Sequence, residues 1–69
     1  MTEIKIKDEH IKLGQLLKLA GLVESGLEAK IEINEGNVLL NNEKELQRGK
    51  KVFPGDVVEF KGNMIKVVN

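Results

Sequence analysis

The residues of this chain that are best suited to chemistry are basic ones, and they are concentrated between positions 44 and 51. This segment holds Lys44, Arg48, Lys50 and Lys51 against a single acidic residue, Glu45, which gives a local net charge of +3. Clustered Lys and Arg side chains neutralise the phosphates of a nucleic-acid backbone. The segment therefore predicts a place that binds phosphate groups rather than one that breaks covalent bonds.

Residue types that support catalysis are scarce elsewhere. His10 is the only histidine and there is no cysteine, so no metal-ligand spacing can be recognised. We expect His10 to be an exposed residue ahead of the first helix. Ser25 has no base nearby in the sequence and no nucleophile-elbow setting, and the glycines form no phosphate-binding loop ahead of a helix. We therefore expect no catalytic activity, metal, cofactor or small-molecule substrate.

The apolar residues of the first third predict a strand followed by a helix. Ile4 and Ile6 alternate with charged neighbours over residues 3–7, as in a half-buried strand. Gly21 suits the left-handed conformation at a helix C-terminus. The apolar stripe of the amphipathic helix before it consists of Leu13, Leu16, Leu17 and Ala20.

A second helix is predicted from Ser25 or Gly26 to about residue 34, with Ser25 as its N-cap. Gly36 ends this helix, and a short strand follows at residues 38–41. Lys30 lies on roughly the opposite side of the helix from an acidic stripe, at about 100° per residue. The stripe consists of Glu24, Glu28, Glu32 and Glu35.

The C-terminal third predicts a hairpin. Residues 53–56, Phe-Pro-Gly-Asp, fit a type II turn, which accounts for Asp56 as a turn residue. A two-residue hairpin loop within residues 61–64 is expected to set the register of the following strands. That register pairs Phe60 with Ile65, Glu59 with Lys66 and Val58 with Val67, and it places the apolar residues of these pairs on one face.

Composition limits the class of protein. The chain has 69 residues, 41% of them hydrophobic, with a formal net charge of zero, and a domain of this size buries only about 60% of the surface of its unfolded chain. Residues 1–24 show no signal-peptide pattern, and no apolar run is long enough to span a bilayer. We expect one soluble, cytoplasmic domain over residues 1–69, and a monomer.

The order of these features resembles a known family. The leucine helix is followed by Ser25, Ala29, Ile33, Gly36, Val38 and Asn41, and then by Gly55-Asp56-Val57-Val58. This set, over residues 13–58, is similar to the RNA-binding domain named after ribosomal small-subunit protein four, also called the alpha-L motif. The chain looks most like its stand-alone bacterial members of the YaaA/YbcJ type. The resemblance implies an α+β fold, with two helices packed on a small, mainly antiparallel sheet.

The resemblance also implies a function, namely the binding of structured RNA, such as ribosomal RNA or a ribosome assembly intermediate, on the helix and loop surface. Two positions depart from the family pattern. Gly26 stands where many members carry arginine, and Asn42 stands where many carry glycine. The expected contacts therefore shift to other cations, and the predicted RNA-binding residues are Lys30, Arg48, Lys50, Lys51, Lys12 and Lys18.

Alternatives to this interpretation remain. Any of these lysines can be an ordinary solvated surface residue, and Asn41 and Asn42 fit turns better than base recognition. A small ubiquitin-like carrier also ends in a Gly-Asp turn and a strand, but it needs a Gly-Gly tail where this chain has residues 66–69, Lys-Val-Val-Asn. An interaction module with an acidic protein partner would use the same basic loop.

Because Phe53 and Phe60 are the only aromatic residues besides His10, recognition of RNA shape is expected rather than base stacking on an aromatic platform.

Overall fold

The computed structural model describes residues 1–69, with both helices in its first half and five of its seven strands in its second half. The elements, in chain order, are β1 (Thr2–Lys5), β2 (Ile11–Lys12), α1 (Leu13–Leu19), α2 (Gly26–Asn34), β3 (Val38–Leu40), β4 (Glu43–Lys44), β5 (Lys51–Val52), β6 (Val57–Phe60) and β7 (Asn63–Val68).

The main sheet has five strands in the order β1-β7-β6-β3-β4, and β2 and β5 form a separate two-stranded ladder. The β1–β7 pair is parallel, whereas β7–β6, β6–β3 and β3–β4 are antiparallel. Together with the two helices this is the predicted α+β fold with a mainly antiparallel sheet. No helix combines the length and apolar character needed to cross a bilayer.

The two helices bury their apolar faces in one core that they share with the sheet. The predicted stripe of α1 is confirmed, since Leu13, Leu16 and Leu17 have no exposed surface. Ala29 and Ile33 of α2 are equally buried. The sheet contributes Val38, Leu40, Val58, Phe60, Ile65 and Val67 to the same cluster. The buried area of these side chains is what fixes the helices on the sheet.

The predicted helix ends are confirmed. The Ser25 side chain accepts a hydrogen bond from the backbone N–H of Glu28 at 3.1 Å, so it is the N-cap of α2. Gly21 and Gly36 adopt φ values of 75° and 80°, which lie in the left-handed region where glycine is favoured. The predicted first strand is shorter than expected, although the N–H of Ile6 still donates to the carbonyl of Val68 at 2.9 Å.

The register predicted for the C-terminal hairpin was wrong by two residues. Lys61 and Gly62 alone form the loop, with φ values of 49° and 82°, because two left-handed residues make the tight turn that suits twisted strands. The next residue is already in β7, so the observed pairs are Phe60–Asn63, Glu59–Met64, Val58–Ile65 and Val57–Lys66. Because side chains alternate with a period of two, the shift leaves every residue on its predicted face.

Candidate nucleic-acid interface

The basic loop between β4 and β5 is bound to the first turn of α1. Lys12, the N-cap residue, supplies no side-chain hydrogen bond to the helix. Instead, the N–H of Leu13 donates to the carbonyl of Lys50 at 2.9 Å, and the N–H of Gly14 donates to the carbonyl of Arg48 at 3.0 Å. These bonds satisfy N–H groups that a helix leaves without partners at its start. The loop is therefore held in a fixed position against α1.

Gly14 allows this close approach of the loop. A Cβ atom at this position would lie 3.4 Å from Cγ of Arg48 and 3.6 Å from its carbonyl oxygen. Such a Cβ would be in van der Waals contact with Arg48, whereas a larger side chain at this buried position would have to displace the loop. Gly14 therefore helps to set the distance between α1 and the Arg48 side chain.

A groove of about 480 Å³ lies between α1, the start of α2 and the basic loop, and no apolar or acidic residue lines it. Three of its lining residues are cations, namely Lys12 and Lys18 at the two ends of α1 and Arg48 in the basic loop. A polar groove with converging cations suits the oxygens of a phosphate backbone. Its lining consists of Lys12, Gly14, Gln15, Lys18, Gly26, Arg48 and Gly49.

Lys51 lies beside this groove. In the β2–β5 ladder it is the direct cross-strand partner of Lys12, and both side chains are exposed. Two like charges at directly opposed positions destabilise a strand pair. The Lys12–Lys51 pair therefore adds positive charge beside the groove without stabilising the ladder.

Lys30 and Lys50 do not line the groove. Lys30 is an exposed residue of α2, four positions after Gly26. Four residues correspond to about 40° around the helix axis, so Lys30 is on the groove side of α2, one turn further along. The backbone carbonyl of Lys50 accepts a hydrogen bond from the first turn of α1, and the side chain of Lys50 is exposed. The structure thus brings Lys12, Lys18, Arg48 and Lys51 together and places Lys30 and Lys50 at the margin.

None of the predicted RNA-binding cations has a carboxylate partner. The structure contains a single ion pair, which joins Nζ of Lys61 to Oε2 of Glu32 at 3.4 Å. Glu32 also accepts a hydrogen bond from the Asn37 amide at 2.7 Å. This hydrogen bond, with the charge of Lys61, lowers the pKa of Glu32 from its ordinary value. The charges around the groove are left available for an external anion.

Of the predicted acidic stripe, Glu28 and Glu32 lie within α2 and Glu35 is its C-cap, whereas Glu24 precedes the N-cap and is not part of the helix. Glu28, Glu32 and Glu35 are roughly 180–240° from Gly26 around the helix axis. Glu28 also has a structural role, since its carboxylate accepts the backbone N–H of Glu24 at 2.8 Å while its own N–H donates to Ser25. This reciprocal arrangement is close to a capping box. The acids therefore face away from the groove, and one of them stabilises the start of α2.

The polar residues interpreted as turn residues are confirmed in that role. Asn41 and Asn42 have φ values of 52° and 71°. The Asn41 amide donates to Asp56 Oδ1 at 3.2 Å and its oxygen accepts the N–H of Val57 at 2.9 Å. Asp56 Oδ2 accepts the N–H of Phe53 at 2.8 Å. These bonds join the β3–β4 turn to the turn before β6.

Four lining residues were not predicted from the sequence: Gly14, Gln15, Gly26 and Gly49. The position of Gln15 could have been found from the sequence, because Lys12, Gln15 and Lys18 recur every three residues on the side of α1 opposite the leucines. Gly26 was singled out only as the position where many family members carry arginine. Gly14 and Gly49 had no signal, since only the tertiary structure brings them to the groove.

Comparison with known proteins agrees with this geometry. A Bacillus subtilis (strain 168) protein named as a probable ribosome maturation protein, RlbA, is 48% identical over 67 residues, which is 96% of this chain and 94% of the relative. YbcJ of Escherichia coli (strain K12) is 42% identical over 62 residues, which is 90% of this chain and 89% of the relative.

The solution structure of Escherichia coli YbcJ, described as revealing an alpha-L motif involved in RNA binding, is also similar. It matches with a TM-score of 0.76 and 38% identity, covering all of this chain and 89% of the YbcJ chain. The S4 domain family matches residues 4–68. The chain therefore belongs to the S4 domain family of RNA-binding domains, in its alpha-L form.

Proposed function

We propose that this domain binds structured RNA, with ribosomal RNA or a ribosome assembly intermediate as its target, and that it does so as a monomer in the cytoplasm and without catalysis. The observation that carries the proposal is the groove in which Lys12, Lys18 and Arg48 converge with no acidic residue. The relative named for ribosome maturation supports the choice of target.

The mechanism is electrostatic positioning. Phosphates of the RNA replace the missing carboxylate partners of the groove cations and release the counter-ions that the RNA carries. Lys51 extends the contact from Lys12 along the β2–β5 ladder, and Lys30 extends it along α2. Because α1, α2 and the loop are fixed to one another, the backbone positions that carry these charges are set before RNA arrives. Such preorganisation lowers the entropic cost of binding.

Selection of RNA by shape follows from the shortage of aromatic platforms. Phe60 is 2% exposed and belongs to the core, whereas Phe53 is 41% exposed and lies against His10. Backbone contacts carry no sequence information by themselves. The groove therefore favours an RNA whose fold presents phosphates at the spacing of its cations.

The proposal is tested by recovering the tagged protein from its own cells after ultraviolet crosslinking and sequencing the bound RNA. Ribosomal RNA is expected to be enriched with the wild type and with Lys66→Glu, an exposed change on β7 away from the groove. Arg48→Glu, with the same change of charge, is expected to lose most of the enrichment. Equal recovery from all three proteins would contradict the proposal. Recovery of a protein partner that survives ribonuclease and is lost with Arg48→Glu would favour the acidic-partner alternative.

A further inference from the structure

A second groove, of about 570 Å³, lies on the other side of Lys18 from the candidate interface. It runs between the end of β1, the segment from β1 to β2, and the exposed side of α1. Gln15 and Lys18 line both grooves, so a chain of RNA that leaves one groove can enter the other directly. The volume is within the range of roughly 300–1,000 Å³ that is typical of pockets for small organic ligands.

The chemistry of this second groove differs from that of the first. Its cations, Lys5, Lys7 and Lys18, accompany an apolar part that includes Ile11 and Leu19. Leu19 is 59% exposed, which leaves a large aliphatic side chain uncovered beside positive charge. Phosphate oxygens gain nothing from an apolar surface, whereas the flat face of a nucleobase does.

Polar groups in the groove can contact the edges of a nucleotide. The amide of Gln15 can both donate and accept hydrogen bonds, and the carboxylate of Asp8 can accept them from a base amino group or a ribose hydroxyl. An acid in a groove for phosphate alone would repel its ligand, so Asp8 favours a whole nucleotide over a bare phosphate.

His10 also lines this groove, and it is not the exposed residue expected from the sequence. It is half-buried, with its ring centroid 5.8 Å from that of Phe53. Its buried Nδ1 has no hydrogen-bond partner, so no hydrogen bond from this nitrogen fixes the rotation of the ring. His10 is thus part of the wall of the groove, where it packs against Phe53.

We infer that this second groove binds one unpaired nucleotide of the RNA whose structured part occupies the first groove. The base lies on Ile11 and Leu19, Gln15 and Asp8 contact its polar edges, and Lys5, Lys7 and Lys18 hold the flanking phosphates. Single-stranded positions next to a helical stem expose such bases, which paired RNA does not. The inference rests on the proposed RNA-binding function and adds to it a preference for an unpaired extension beside a stem.

The test compares a blunt RNA hairpin with the same hairpin carrying a short single-stranded extension. The extension is expected to raise the affinity of the wild type by roughly five- to tenfold, about the gain from burying one to two methylene groups. Leu19→Gln is expected to abolish this gain and leave affinity for the blunt hairpin unchanged. Leu27→Gln is the matched control, because Leu27 is 66% exposed on α2 and lines neither groove.

Methyl NMR of the wild type provides a second measurement that needs no variant. Signals of Ile11 and Leu19 are expected to shift upfield with the extended RNA, through the ring current of the bound base, and not with the blunt hairpin. If the blunt hairpin binds but the extension adds neither affinity nor these shifts, the inference is wrong and the proposed function stands. A gain that survives Leu19→Gln also overturns it. If neither RNA binds, the proposed function itself fails.

Discussion

At the scale of single residues, the charge of the proposed RNA-binding groove comes from cations that have no carboxylate partner. Lys12, Lys18 and Arg48 supply the charge, while Gly14 leaves room for the basic loop beside α1. The lack of any ion pair among the cations keeps their charge available. Each contact to phosphate is expected to contribute separately to affinity.

The open space at Gly26 leads to the first prediction. No heavy atom lies within 4 Å of a Cβ built at this position, so Gly26→Arg should fit and add a cation to the groove. We expect the affinity for a structured RNA hairpin to rise by about three- to tenfold, because one more phosphate can be contacted. Gly26→Ala is the control, since it changes helix propensity without charge. Unchanged or weaker binding by a folded Gly26→Arg protein would show that this end of α2 does not face the RNA.

The second prediction concerns the two sides of α2. Lys30→Glu is expected to weaken hairpin binding several-fold, because it places a negative charge on the groove side of the helix. Glu35→Lys, on the opposite side of the same helix, is expected to leave binding unchanged or slightly stronger. Glu35 is preferable to Glu28 for this comparison, since Glu28 caps the helix. Equal effects of the two changes in a fluorescence titration would argue against the assigned face.

At the scale of elements, α1 has two separable sides. Its leucines fill the core, and its first turn is bound to the basic loop by backbone hydrogen bonds. The apolar periodicity of the sequence was enough to predict the side of α1 that packs in the core. The contact between the first turn of α1 and the basic loop was not predictable. The loop carbonyls that accept its N–H groups come from more than thirty residues further along the chain, and no local sequence pattern indicates such a contact.

The third prediction separates the two sides of α1. Leu17→Ala should lower the free energy of unfolding by about 2–5 kcal/mol, because it leaves a cavity at a position with no exposed surface. Lys50→Ala should change it by less than about 0.5 kcal/mol, since the exposed side chain is lost but the carbonyl that binds Leu13 remains. Thermal or urea unfolding measures both. A larger loss with Lys50→Ala would mean that core and surface are assigned wrongly.

The fourth prediction follows from Glu32, whose pKa is lowered from an ordinary value of 4.5, chiefly by the Asn37 hydrogen bond. A carboxyl with a lowered pKa in the folded state stabilises the fold above its unfolded pKa, and this contribution is lost as the pH falls through the lowered value. Acidification below about pH 5 should therefore destabilise the wild type more than Glu32→Gln. Melting temperatures across the acid range test this, with Glu43→Gln, on the exposed strand β4, as the background variant. Parallel curves for wild type and Glu32→Gln would contradict the prediction.

At the scale of the whole molecule, the topology shows where local patterns stop being informative. The apolar alternation identified β1, β6 and β7 as strands and placed their residues on the correct faces. It could not show that β1 runs parallel to β7, because pairing between the first and last strands depends on the entire chain between them. The predicted hairpin register was wrong because a two-residue loop and a four-residue loop place the strand side chains on the same faces, so the apolar pattern does not distinguish them.

The position of the proposed RNA-binding surface follows only partly from local sequence patterns. The charge cluster indicated the loop, and the family resemblance indicated the helices. The fold then showed that β2 and β5 place Lys12 opposite Lys51 and that α1 and the loop enclose a groove without acids. Segregation of charge, rather than net charge, is what allows a neutral chain to present a cationic face.

The salt dependence of RNA binding tests the central claim most directly. If Lys12, Lys18, Arg48 and Lys51 each contact a phosphate, the logarithm of affinity for a structured hairpin should fall with the logarithm of salt concentration at a slope of about −3 to −4. Arg48→Ala should reduce the magnitude of that slope by about 1, and Lys66→Ala should leave it unchanged. A slope near zero with undiminished binding, or the same slope in Arg48→Ala as in the wild type, would contradict the account.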